Sequence, residues 1–178
     1  GLNALLTGSA ARTAVLTTRG FGDTLEIGRL RRQTAGMNET EFTDAYLRNR
    51  FAPLVPRHLV IEIEERVDVG GRVVIPLDES QAREELRKLK AQGVEAIAVC
   101  TLWSTHNPVH ENRLRDLARE ELPEAFVSVS HEISPAVGEY ARMSTTAANA
   151  MLGPLAGRYL SRLESILREA GIDRKSVV

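Results

Sequence analysis

The segment SHEISPAVGEYARMSTTAANAML, residues 130–152, concentrates short polar and charged side chains where a strand passes into a helix. Four of them follow at intervals of three, four and three positions: Glu139, Arg142, Thr146 and Asn149. On a helix this spacing forms one polar stripe, which at the carboxyl end of a strand would face a ligand cleft. An arginine there could bind an anion. The alternative is a closely packed helix with a surface Glu139–Arg142 pair.

Two further groups of residues could bind a ligand. The turn TTRGFGDTLEIGR at residues 17–29 combines three glycines with Arg19, which could hold an anion beside backbone N–H groups. It matches neither the P-loop nor the dinucleotide pattern, so by itself it predicts a turn. His106 and His110 are four residues apart, but Asn107-Pro108 begins a helix between them and no third ligand is evident. We therefore interpret both as surface histidines and predict no metal site.

The elements that would position these residues alternate between strands and helices. Strands are predicted at RTAVLTT, VEAIAVCTL and AFVSVS, and Gly70-Gly71 joins the two arms of a hairpin. Helices are predicted to begin at Asp78, at Asn107-Pro108 and at Ser134-Pro135. The last helix should bend at Gly153-Pro154. This order predicts an α/β fold with a mixed sheet, parallel crossovers and flanking helices.

Composition excludes several classes of protein. The 178 residues carry 23 basic and 24 acidic side chains, so no basic field attracts nucleic acid. No apolar run approaches the roughly 18 residues of a membrane helix. The single cysteine, Cys100, excludes an internal disulfide and favours a reducing compartment. We therefore expect one α/β domain spanning residues 1–178, located in the cytoplasm, with neither nucleic acid nor membrane as a partner.

Two long stretches of the chain resemble the N-terminal region of the hydantoinase A/5-oxoprolinase family. They are NALLTGSAARTAVLTTRGFGDTLEIGR (3–29) and VSVSHEISPAVGEYARMSTTAANAML (127–152). The segments between them fit the same family in order, and the pattern Ser-His-Glu-x-Ser-Pro followed by Glu-Tyr-x-Arg-x-Ser-Thr-Thr is specific. The family comprises ATP-dependent hydantoinases, 5-oxoprolinases and related subunits of acetone and acetophenone carboxylases. The resemblance thus implies part of an actin-like ATPase-type N-terminal region.

The resemblance also implies a chemistry. Members use ATP and Mg²⁺ to phosphorylate a carbonyl or lactam oxygen, so we expect a hydrolase of cyclic amides with a hydantoinase B-like partner subunit or domain. Residues 31–52 depart from the hydantoinase-like form, which leaves a ketone substrate and a carboxylase ATPase subunit as the alternative. The family's Gly-Gly-Thr phosphate loop is absent from these residues. We therefore expect a fragment of a longer enzyme that is inactive alone and holds no cofactor.

The most distinctive family pattern runs from His131 to Asn149 and implies the site residues. These are His131, Glu139 and Arg142 as catalytic groups, with Ser144, Thr145 and Asn149 on the substrate or nucleotide side. Arg19 of the glycine turn is predicted to lie on that side as well. Arg142 would expose its guanidinium to a phosphate or carboxylate, and His131 would transfer a proton. The alternative is a non-catalytic lid or docking domain, in which the stripe at 139–149 contacts a partner subunit.

Overall fold

The computed structural model describes residues 9–28, 38–43, 53–169 and 171. The strands in this part of the chain are β1 (Thr13–Thr18), β2 (Val60–Ile63), β3 (Arg66–Val67), β4 (Val73–Ile75), β5 (Ala96–Cys100) and β6 (Phe126–Val129). The helices are α1 (Thr24–Ile27), α2 (Glu39–Thr43), α3 (Glu79–Ala91), α4 (Val109–Glu121), α5 (Ser130–Ile133) and α6 (Glu139–Glu169), with a 3₁₀ turn at Arg57–Leu59.

Four of these strands form a parallel sheet in the order β2-β1-β5-β6. Every residue of β1 and β5 is buried, because the two central strands are covered on both faces. Helix α6 packs on β5, β6 and β1, and α3 packs on α4. Leu86 of α3 and Leu114 of α4 are fully buried in the same core as β1 and β5. The predicted strands at RTAVLTT, VEAIAVCTL and AFVSVS are confirmed, as is the α/β fold class.

The predicted hairpin is only partly confirmed, because its first arm divides between two sheets. β2 joins the parallel sheet through β1, whereas β3 turns away and pairs antiparallel with β4. The Asp68 carboxylate holds the turn by accepting hydrogen bonds from Gly70 N and Arg72 N, both at 2.9 Å. Gly71 supplies the left-handed backbone with φ of +79°. The antiparallel part of the expected mixed sheet is thus a separate ribbon.

Local signals placed both ends of α3 correctly. Asp78 Oδ1 accepts a hydrogen bond from Gln81 N at 2.9 Å, and Gly93 follows the helix with φ of +71°. Helix α4 begins at Val109, one residue after the expected first-turn proline. Its N–H donates to Asn107 Oδ1 at 3.1 Å. Caps of this kind are readable from sequence because donor and acceptor lie within a few residues.

The predicted start of the last helix is wrong. Strand β6 ends at Val129, and a separate short helix, α5, follows it; Ser134 N closes that helix by donating to Ser130 O at 2.9 Å. Gly138 then has φ of +119°, and α6 begins only at Glu139. Pro154 lies inside α6, which continues through it, so the bend there stays a prediction. Within the described residues, no helix is both long and apolar enough to cross a membrane.

Candidate functional site

Two neighbouring hydrogen-bonded sets of polar residues lie where β1, β5 and β6 end and α4 and α6 cover them. One set is Thr18, Glu65 and His110; the other is Ser104, Glu111, Ser130, His131 and Arg142 with the backbone of Thr101, whose buried hydroxyl has no partner within the described residues. We call the two sets together the strand-end network. All of its members except His131 are buried. Buried polar groups are costly unless they are hydrogen-bonded, so these contacts are needed for the fold as well as for any chemistry.

Glu111 is the centre of the network. Its carboxylate is 0% exposed and accepts four hydrogen bonds. Oε1 accepts from Thr101 N at 2.9 Å and from Ser130 Oγ at 2.6 Å. Oε2 accepts from the backbone N of His131 at 3.0 Å and lies 2.6 Å from its Nδ1. One carboxylate therefore joins the end of β5 to the first two residues after β6.

His131 lies at the boundary between this network and solvent. Its side chain keeps 16% of its surface exposed although Nδ1 contacts a fully buried carboxylate. Nε2 lies 3.9 Å from Glu132 Oε1, and Glu132 is itself paired with Arg115 Nη1 at 2.7 Å. Because an ionised carboxylate can only accept, Nδ1 donates to Glu111 Oε2, and Nε2 makes no hydrogen bond to the described residues.

Arg142 is 2% exposed, so the expected exposure of its guanidinium is wrong. Nε donates to Ser130 Oγ at 3.0 Å, Nη2 to Thr101 O at 2.8 Å and Nη1 to Ala136 O at 3.1 Å. These acceptors belong to the end of β5, the start of α5 and the loop before α6. The guanidinium thus links three segments of the chain, and each of its three nitrogens donates a hydrogen bond to a protein acceptor.

A second carboxylate–histidine pair lies in the same network. His110 Nδ1 lies 2.6 Å from Glu65 Oε2, and Thr18 Oγ1 donates to Glu65 Oε1. The same hydroxyl accepts from Leu102 N at 2.9 Å. His110 is buried, so its interpretation as a surface histidine is wrong, whereas His106 is exposed. No three His, Cys, Asp or Glu side chains in the described ranges are grouped so that they could hold a metal ion.

Neither glutamate of the two pairs was identified from the sequence, although the pattern carried a signal. Glu111 shares one face of α4 with Leu114 and Ala118, at spacings of three and seven. Glu65 follows Ile63 by two residues, and both are buried. A charged residue in register with apolar ones is a candidate for a buried pair. Its partner was not identifiable, because the two histidines lie 45 and 20 residues away in the chain.

The chain matches the model of the family described as "Hydantoinase/oxoprolinase N-terminal region" over residues 1–122. It belongs to this family. Caprolactamase subunit alpha of Pseudomonas jessenii is 35% identical over 96% of this chain and 24% of its own length. Acetophenone carboxylase gamma subunit of Aromatoleum aromaticum is 41% identical over 85% of this chain and 21% of its own. The expected family is confirmed, and the chain spans less than a quarter of the length of these two relatives.

Two solved structures share the fold. The crystal structure of ATP-dependent caprolactamase from Pseudomonas jessenii has a TM-score of 0.83 at 37% identity, covering 97% of this chain and 24% of that one. The nucleotide-free acetone carboxylase structure has a TM-score of 0.82 at 30% identity, covering 96% of this chain and 24% of that one. The α/β architecture described above is therefore that of the hydantoinase/oxoprolinase N-terminal region.

The remaining expected site residues of this family member divide into two locations. On α6, Glu139 is half-buried, Asn149 Nδ2 donates to Ser128 Oγ at 2.9 Å, and the hydroxyls of Ser144 and Thr145 donate to the helix carbonyl of Ala141. The described hydroxyl bonds of the last two thus lie within their own helix. The expected single stripe is not uniformly accessible, because Arg142 and Thr146 within it are buried.

Arg19 lies at the carboxyl end of β1, one residue after the strand. Its side chain is exposed and pairs with Glu64, and that hydrogen bond raises the pKa of the guanidinium. The glycine turn beside it does not offer a free N–H at Gly22, which donates to Glu62 Oε1 at 2.9 Å. Arg57 occupies the same corner, with Nη2 3.2 Å from that carboxylate oxygen. The Glu62 carboxylate therefore occupies the position in this turn where a bound phosphate would accept the Gly22 N–H.

Proposed function

We propose that this chain is a single α/β domain, residues 1–178, of an ATP-dependent enzyme that opens cyclic amides of the hydantoin, 5-oxoproline or lactam type. The match to caprolactamase subunit alpha carries the proposal, because it extends over 96% of this chain at 35% identity. The crystal structure of the ATP-dependent caprolactamase agrees in fold with a TM-score of 0.83. The proposed setting is the cytoplasm.

The reaction class explains why such an enzyme needs ATP. An amide carbonyl is a poor electrophile, and phosphorylation of its oxygen by ATP with Mg²⁺ supplies a leaving group. The described residues do not fit a nucleotide phosphate at the glycine turn, since Gly22 N–H is engaged by Glu62. We therefore place the phosphate-binding groups elsewhere in the parent enzyme. In this proposal, the carboxyl ends of the parallel strands in this domain face the substrate.

Several residues would act at that edge. His131 and Glu139 are proposed to face the active cleft, with Arg19, Ser144, Thr145 and Asn149 on the substrate or nucleotide side. Arg142 is assigned to positioning, because its guanidinium bonds Ser130, Thr101 and Ala136. The relatives named as alpha, gamma and beta subunits support a separate partner, which we propose to be a hydantoinase B-like subunit or domain.

A second candidate is the ATPase subunit of a ketone carboxylase. The 41% identity to acetophenone carboxylase gamma subunit favours it. In that case the activated oxygen belongs to a ketone, and carboxylation replaces ring opening. A non-catalytic lid or docking role would place all chemistry elsewhere in the parent and leave the strand-end network purely structural.

The parent enzyme with its partner decides between these functions. ADP release would be measured with hydantoin, 5-oxoproline and caprolactam, and separately with acetone or acetophenone plus bicarbonate. We expect ADP release coupled to ring opening of a cyclic amide. Coupling to a ketone and bicarbonate would favour the carboxylase, and coupling to neither class would contradict both proposals.

The isolated chain provides the matched control. We expect it to hydrolyse no ATP above background, since positioned phosphate and Mg²⁺ contacts supply most of phosphoryl-transfer catalysis. Magnesium-dependent turnover by the purified chain, free of contaminating ATPase, would contradict the assignment of the nucleotide site to the rest of the parent.

A further inference from the structure

The strand-end network contains two carboxylate–histidine pairs that differ in access to solvent. In the His110–Glu65 pair, the two side chains are only 7% and 0% exposed. In the His131–Glu111 pair, Glu111 is also 0% exposed, but His131 keeps 16% of its side chain exposed. The distance from Nδ1 to the carboxylate oxygen is 2.6 Å in both pairs. The His110–Glu65 pair is therefore shielded from solvent, whereas the His131–Glu111 pair reaches solvent through His131.

We propose that His131 is a proton-transferring residue of the parent enzyme and that Glu111 is the positioning residue that orients it. This inference rests on the proposed function as an enzyme acting on amides. The catalytic atom is Nε2, because Nδ1 is held by Glu111. Glu111 acts only through His131, since its four hydrogen bonds leave it enclosed by Thr101, Ser130 and His131.

Glu111 holds His131 at two points. A single oxygen, Oε2, receives both the backbone N–H at 3.0 Å and the ring Nδ1 at 2.6 Å. The other oxygen is anchored to Thr101 N and Ser130 Oγ, so the carboxylate cannot turn without breaking bonds to two strand ends. A histidine held in this way has a defined tautomer and a defined ring plane, which is the requirement for a general base.

The charges around His131 come from three helices. Glu111 and Arg115 belong to α4, Glu132 belongs to α5, and Arg142 of α6 reaches the site through Ser130. Arg115 is paired with Glu132 at 2.7 Å, which leaves Glu111 as the carboxylate directly bonded to the ring. When His131 gains a proton, the resulting imidazolium lies against that carboxylate. The buried pair thereby stabilises the charge that proton transfer creates.

In the proposed step, His131 transfers a proton from the attacking water to the amide nitrogen. An O–H bond of the attacking water breaks and an Nε2–H bond forms on His131, while the electron pair stays on the oxygen that attacks the activated carbonyl carbon. The same proton is afterwards delivered from Nε2 to the amide nitrogen, which restores the ring. The C–N bond then breaks as the second proton of the attacking water passes to that nitrogen, and the phosphoryl group stays on the acyl oxygen until a further water releases it as inorganic phosphate. Glu111 neither gains nor loses a proton in this sequence.

The kinetic test compares two matched substitutions in the parent enzyme with its partner. His131→Gln keeps an amide that can donate to Glu111 but removes the base, so kcat should fall about 10²- to 10⁴-fold with little change in KM. His106→Gln makes the same chemical change at an exposed histidine outside the strand-end network and should leave kcat within about threefold. Normal turnover by folded His131→Gln, or equal losses in both variants, would overturn the proposal.

A spectroscopic test separates orientation from packing. In the chain labelled with ¹⁵N-histidine, long-range ¹⁵N–¹H spectra should show His131 as the Nδ1–H tautomer. Glu111→Gln should weaken that preference and lower kcat in the parent, because the amide can donate to Nδ1 and turn the ring into the Nε2–H form. An Nε2–H tautomer in the unaltered chain would overturn the proposal. Inactivity of the unaltered parent on every cyclic amide would refute the proposed function instead.

Discussion

The two halves of α6 differ in a way that reverses the usual rule for burial. The first half, residues 139–151, buries Arg142 and Thr146 together with Met143, Ala147 and Ala150. The second half, residues 155–169, leaves large apolar side chains exposed: Leu155, Tyr159, Leu160, Leu163 and Ile166. One continuous helix therefore buries a charged residue at one end and exposes leucines at the other.

The difference shows that burial on this helix follows the contacts available to each turn. The first half lies on β5 and β6, where Arg142 finds Ser130 Oγ and two carbonyls as acceptors. A guanidinium with its donors satisfied can be buried at tolerable cost. In the second half, Tyr159 is 65% exposed and no described residue covers the apolar face. Hydrophobicity alone therefore does not identify the packed face of α6.

The largest expected effect is that of Arg142→Ala in the chain. It removes the donors to Thr101 O, Ala136 O and Ser130 Oγ and leaves the buried Glu111 without its nearby cation. The free energy of unfolding should fall by about 3–5 kcal/mol, as for other broken buried ionic networks. Chemical denaturation measures this loss. Exposed Arg158 in the second half is the control, and Arg158→Ala should change stability by less than about 0.5 kcal/mol. Equal effects would remove the distinction between the two halves.

Cys100, in the strand beneath the first half, offers a test of burial without mutation. Burial raises the pKa of its thiol from about 9 to about 12. At pH 8 the folded chain should therefore react with iodoacetamide about a thousandfold more slowly than the unfolded chain. The raised pKa also favours folding fully below about pH 9, and this contribution is lost as the pH rises toward 12. Mass spectrometry follows the labelling; similar rates in folded and unfolded chain would contradict the burial of β5.

A smaller effect is expected from enlarging an alanine in each half. Ala147 is 0% exposed, so Ala147→Leu forces side chains apart and should cost about 1–3 kcal/mol. Ala156 is exposed, and Ala156→Leu should alter stability by less than about 0.5 kcal/mol. Thermal unfolding of the two variants measures the contrast. A stable Ala147→Leu chain would mean that the contact between α6 and β5 is loose.

The smallest effect is expected at the apolar face of the second half. Leu163→Ala in the chain should change the free energy of unfolding by less than about 0.5 kcal/mol, because the side chain is 38% exposed. Leu114→Ala in the core of α4 is the matched comparison and should cost about 2–5 kcal/mol. A large loss in Leu163→Ala would show that this face is packed in solution.

Much of the fold was predictable because the patterns that define it are local. The apolar runs of β1 and β5, the Asp78 cap and the glycine after α3 each depend on neighbouring residues. The start of α6 was not predictable in the same way. Ser134-Pro135 has the sequence of a helix start, but Ser134 N is used to close α5 and Gly138 turns the chain before α6.

The location of the candidate site stays a prediction, whereas the expected exposure of its arginine is wrong. His131 and Arg142 were identified from residue type, spacing and family pattern. Glu111 and Glu65 were missed, since a glutamate on a helix or strand is usually solvated. Their roles follow from partners 20 and 45 residues away, which no local pattern connects.

The sequence by itself determined the family, the alternation of strands and helices and the segment that carries the polar residues. These properties are encoded in short-range periodicity and in the order of residues along the chain. Only the tertiary structure decided that Arg142 is enclosed, that Leu163 is exposed and that one of two equivalent carboxylate–histidine pairs reaches solvent. The physical reason is that burial and hydrogen bonding depend on residues far apart in the sequence. Those residues come together only when the strands pair and α4 and α6 pack on the sheet.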